Sequence, residues 1–112
     1  RAKDRIQQYR EWQKKIVTLH SSLQAVRDSN DSEKWGKFAR QFRADIQSYQ
    51  DQLMEIQPVS ACFTVGDPLD AVRRMFHATA FQKPQDYNEA SADYTKSLKE
   101  LREFITKSES TQ

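Results

Sequence analysis

Residues 6–26 read IQQYREWQKKIVTLHSSLQAV. Ile6, Tyr9, Trp12, Ile16, Leu19, Leu23 and Val26 recur at spacings of three and four, and most residues between them are polar or charged. A strand places its apolar residues at every second position, whereas a helix of 3.6 residues per turn gathers this spacing onto one stripe. The segment therefore predicts a long helix with one face that must be buried against other helices.

The same period returns three times downstream. Trp35, Phe38, Phe42, Ile46, Tyr49, Leu53 and Ile56 form a second stripe, Leu69, Val72 and Phe76 a third, and Tyr87, Ala90, Tyr94, Leu98, Leu101 and Ile105 a fourth. Four stripes predict an all-α, antiparallel up-down-up-down four-helix bundle in a single domain over residues 1–112. Two glycines and three prolines in 112 residues suit long helices with few turns.

Local punctuation sets the expected boundaries. The first helix spans about residues 2–27, and Asp28-Ser29-Asn30-Asp31 is a polar turn whose side chains bond nearby backbone. Asn30 with Glu33 resembles a capping box for the second helix, which ends before Pro58. Asp67-Pro68 reads as a cap followed by proline in the first turn, so the third helix is expected to be short, from there to Phe81. Asp86 is the expected cap of the fourth helix, which runs to Lys107.

This leaves residues 58–66 as an apolar loop. Helices of about 26 residues rise roughly 39 Å and one of about 14 residues only roughly 21 Å, so the loop is expected to complete the wall where the third helix falls short. Phe63 is predicted to pack near Ile6, Tyr9, Leu53, Ile56 and Phe104. Val59, Cys62, Phe63, Val65 and Tyr9 are the candidate contacts for a protein partner or small ligand at that end, and an exposed loop of this kind would let two copies form a homodimer.

Catalytic and metal chemistry find no support. His20 and His77 follow Val17 and Arg74 at the third position back, so neither completes the Glu-x-x-His step of bundle metal sites, and no cofactor is expected. Cys62 has no neighbouring base and reads as an inert thiol. Gly36 and Gly66 stand alone and build no phosphate loop.

Charge is uneven along the chain. Residues 1–30 carry seven basic and three acidic side chains, whereas residues 84–112 carry four and six. Adjacent first and last helices would pair those signs. The basic face offered by Arg5, Arg10, Lys14 and Lys15, with Arg40, Arg43, Arg73 and Arg74 as extensions, gives a nucleic-acid-associated protein as the second reading. A net charge of only +2 disfavours it.

The leading reading is a non-enzymatic interaction module, a sensor input or adaptor domain. The chain opens on Arg1, which suggests a domain excised from a longer protein, and the predicted topology puts both termini at one end. By analogy of architecture alone, that suits the extracytoplasmic part of a membrane-anchored protein, with any membrane contact made by segments outside this chain. No apolar run here approaches the roughly 20 residues needed to cross a bilayer.

Overall fold

The computed structural model describes residues 2–111. Four helices follow in order: α1 (Ala2–Ser29), α2 (Ser32–Leu53), α3 (Val59–Ala80) and α4 (Pro84–Ser110), with no strand among the described residues. Together they make a rod of 47 × 24 × 19 Å.

Paired side chains fix the antiparallel arrangement. Along α1 and α4 the partners run in opposite directions: Tyr9 with Phe104, His20 with Tyr94, and Arg27 over Tyr87. Trp12 meets Tyr49 across α1 and α2, Trp35 meets Phe76 across α2 and α3, and Arg74 meets Asp93 across α3 and α4. The first and last helices are thus neighbours, which brings the opposite signs of their charge together, and Arg10 pairs with Glu109 between them.

The cross-section is a rhombus rather than a square. Helices α1 and α3 each touch all three others, whereas α2 and α4 do not touch each other among the described residues. Small side chains explain which pair is closest. Ala71 and Ala78 of α3, and Ala90 and Ser97 of α4, are all buried and recur at seven residues, so these two backbones approach most closely. Helix α2 turns mostly large side chains inward, including Trp35, Phe38, Phe42 and Ile46, and stands further out.

The expected short third helix and apolar loop at 58–66 are corrected. Helix α3 starts at Val59, has 22 residues and carries Pro68 in its interior. Ala61, Val65, Leu69, Val72 and Phe76 are spaced by four, four, three and four, so the supposed loop is in phase with the helix that follows it. Interior proline costs about 3 kcal/mol through the lost N–H bond and the clash one turn back. Burial of Ala61, Val65 and Pro68 itself supplies the compensating apolar contact. At 22 residues α3 is about 33 Å long and leaves no wall for a loop to complete.

Phe63 therefore does not pack near Ile6, Tyr9, Leu53, Ile56 and Phe104. It lies on the outer side of α3, 68% exposed, with Val59 one turn before it and Met54 in the preceding turn also exposed. The caps shift too. Asp31, not Asn30, caps α2, its Oδ1 accepting from the Glu33 and Lys34 amides at 3.0 and 3.2 Å, while Asn30 takes a left-handed φ of 52° just past α1. Pro84 opens α4 and Asp86 sits in its first turn rather than at its cap.

Candidate functional site

The inward-facing rings of α2 hold it away from α1 and leave a cleft between the two helices. Of its 22 residues only Ala39, Phe42 and Leu53 are buried. Phe38, Ile46 and Tyr49 are half-buried at its margin. The cleft has a volume of about 450 Å³. Leu19, Phe38, Phe42 and Tyr49 supply its apolar surface; Glu11, Lys14, Lys15 and Asp45 stand among its charged groups.

One end of the cleft is closed by packed aromatic rings. The Trp12 and Tyr49 rings meet edge to face at 5.6 Å and 84°. Lys15 Nζ lies 4.9 Å from the Trp12 ring centre and 5.5 Å from that of Tyr49, and donates to Gln52 Oε1 at 3.3 Å. Such cation–ring contacts hold an ammonium over an aromatic face without a carboxylate. Burial, and then Asp45 nearby, push the Tyr49 hydroxyl above its ordinary value, so it stays protonated and able to donate. Among the described residues no group of three or more histidine, cysteine or acidic side chains is placed to hold a metal.

The sequence-predicted contact residues are not assembled into one site. Tyr9 is buried: its hydroxyl donates to the Gln57 carbonyl at 2.7 Å, and its ring lies 5.1 Å from Phe104. It ties the start of α1 to the turn before α3. Val65 is fully buried, and Cys62 is half-buried with its thiol donating to the Leu53 carbonyl at 3.2 Å. Val59 and Phe63 face outward. Nor do the four cations of α1 share one face. Arg10 pairs with Glu109 on α4 and Lys15 reaches Gln52 on α2, while Lys14 stands at the rim of the cleft and Arg5 is exposed near the start of the helix.

Leu19, Phe38, Phe42 and Tyr49 all fall on the stripes and read first as core, and the stripes do not say which two helices part. The available signal was size. Ala39 is the one small side chain buried on α2, so its face is too bulky to close on α1 along its whole length.

The histidines carry a pH signature. His20 stacks on Tyr94 at 3.9 Å and 8°, and burial depresses its proton affinity. His77 is depressed by burial and then by Arg73 and Arg43. The unfolded chain therefore takes up protons at these positions before the folded one does, and stability falls as pH drops below the unfolded value of about 6.5. His20→Gln is expected to reduce the slope of stability against pH between 7 and 5. Urea titrations across that range measure it, and equal slopes for both proteins would contradict the burial of this ring.

Compared with protein-family models, curated proteins and solved structures, the chain has no match in any of the three. Among the described residues, no helix is long and apolar enough to cross a membrane.

Proposed function

We propose that this chain is a non-enzymatic binding module of the sensor-input or adaptor kind, and that the cleft between α1 and α2 takes a small, largely neutral apolar molecule. The cleft itself carries the proposal. Its roughly 450 Å³ falls within the range of small-molecule sites, about 300–1,000 Å³, and its rings and aliphatic side chains outweigh its polar groups. Lys14 and Lys15 oppose Glu11 and Asp45 around the opening, so the lining presents balanced charge and favours a neutral occupant.

Helix α2 is the element suited to report occupancy. It makes no contact with α4, and its deepest anchor is the aromatic stack on Phe76. A ligand wedged beside Phe38 and Tyr49 shifts α2 against the more closely packed α3–α4 pair, and a partner that reads the position of α2 reads the ligand. The exposed Met54, Val59 and Phe63 supply no enclosure, which is why the cleft is the better site for a small molecule.

The test is a fluorescence titration with N-phenyl-1-naphthylamine, a neutral probe that brightens in apolar surroundings. Gln41→Trp, an exposed change on the cleft wall, is expected to weaken binding at least about tenfold, while Phe63→Asp leaves it unchanged. The reverse pattern would move the site to the outer face of α3 and end the proposal.

A further inference from the structure

The groove on the other side of α2, toward α3, gathers cations rather than apolar surface. Residues 34–44 of α2 contain Lys34, Lys37, Arg40 and Arg43 and no acidic residue. Arg40 and Arg43 are one turn apart and exposed, and neither forms an ion pair among the described residues. Gly36 stands one turn before Arg40, and a side chain there would meet only the Arg40 guanidinium, at 3.9 Å.

Helix α3 supplies the facing wall. The Arg43 guanidinium carbon lies 5.8 Å from the Phe76 ring centre and the His77 ring 5.6 Å from it, so both flank the same buried ring. Arg73 Nη1 is 3.4 Å from His77 Nδ1. A guanidinium only donates, so this contact makes Nδ1 the acceptor and puts the proton of the neutral ring on Nε2. Arg73 is itself fixed by Asp70, whose Oδ1 accepts from its Nε and Nη2 at 3.0 and 2.7 Å. Partial burial works against ionising Asp70, but the hydrogen bonds from Arg73 and Arg74 prevail and hold its carboxyl below the usual range. Arg73 is thus anchored from beneath, while Arg40 and Arg43 keep their donors free.

Like charges one turn apart repel each other, and no acidic residue between positions 34 and 44 of α2 offsets the repulsion between Arg40 and Arg43. We propose that Arg40, Arg43, Arg73 and the Nε2–H of His77 form a binding site for a phosphate group, either inorganic phosphate or a phosphomonoester. The unpaired Arg40 and Arg43 guanidiniums can donate to the oxygens of a tetrahedral anion, Arg73 adds positive charge with its Nε–Nη2 edge already given to Asp70, and the imidazole adds a neutral donor. The site is separate from the α1–α2 cleft and does not depend on a ligand there.

The chain has two histidines, which makes the test direct. His77 borders the groove, whereas His20 is stacked on Tyr94 between α1 and α4. His77 also borders a hollow toward α4 with Arg74, Lys83, Asp86 and Glu89, so pH must be held constant. Sodium phosphate is titrated against sodium chloride at matched ionic strength while the ring C–H resonances of both histidines are followed by NMR. Phosphate is expected to move the His77 resonances saturably and to leave those of His20 where chloride leaves them. Arg43→Gln, an exposed change checked for folding by circular dichroism, is expected to weaken the apparent affinity on the order of tenfold. Phenyl phosphate in a parallel titration tells the two sources apart: tighter binding than inorganic phosphate marks an ester, weaker binding the free ion. Equal effects of phosphate and chloride on His77, or an unchanged affinity in Arg43→Gln, would overturn the site.

Discussion

Replacing Phe76 with alanine is expected to cost about 3–5 kcal/mol, the range for deleting a large ring from a well-packed core. Phe76 is 1% exposed and holds α2 against α3. Its ring stacks on Phe42 at 4.2 Å and 10°, and on Trp35 at 5.2 Å and 20°, with Phe38 at 6.2 Å. Removing it opens a void where α2 has few other anchors, and collapse of the stack would have to drag α2 inward against its own bulky face. Small domains are stable by about 5–15 kcal/mol, so the variant is expected to lose a large share of its stability and on the order of 10–20 °C in melting temperature. Thermal unfolding followed by circular dichroism measures this. The near-ultraviolet aromatic signal should weaken in step, since Trp35 and Phe42 lose their common partner. A loss below about 1 kcal/mol would mean that the stack does not hold α2.

The second large effect separates two residues of α3 that lie two apart. Val65→Asp puts a carboxyl at a position with 0% exposure and no polar partner, which is expected to cost about 3 kcal/mol or more whether the group ionises or takes up a proton. Phe63→Asp is expected to stay within about 0.5 kcal/mol of the parent, because its ring is already in solvent. The contrast follows from helical phase: positions two apart differ by about 200° around a helix, so one faces the core while the other faces out. Chemical denaturation of both variants beside the parent measures it. Comparable losses in the two would restore an irregular 58–66 segment with both side chains plugged into the bundle end.

The α1, α2 and α4 stripes were legible because each is long, regular and free of interior proline, so periodicity alone decides them. Even there the detail was set by contacts the pattern does not encode. Tyr9 was readable as an inward residue, but not its bond to the Gln57 carbonyl, which lies 48 positions away. Helix α3 was misread at its start because Asp67-Pro68 carries every local mark of a helix N-terminus. The burial of Ala61, Val65 and Pro68 against neighbouring helices outweighed that signal, and such burial depends on where the other three helices lie. The candidate contacts at 58–66 followed from that misreading and scatter between core and surface. The place of the cleft was illegible for a different reason. Leu19, Phe38, Phe42 and Tyr49 obey the pattern, and a stripe does not say how far apart two faces come to rest. Arg43 and Arg73 were visible as cations, but their convergence with His77 needed the antiparallel pairing of α2 with α3.

The proposed function depends on α2 standing away from α1 and leaving an open cleft. The most direct measurement is an NMR experiment that detects short contacts between bound N-phenyl-1-naphthylamine and protein side chains. The probe protons are expected to show cross-relaxation with the Leu19 methyls and with the Phe38 and Tyr49 rings. Contacts instead with Met54, Val59 and Phe63, and none with the α1–α2 residues, would contradict it.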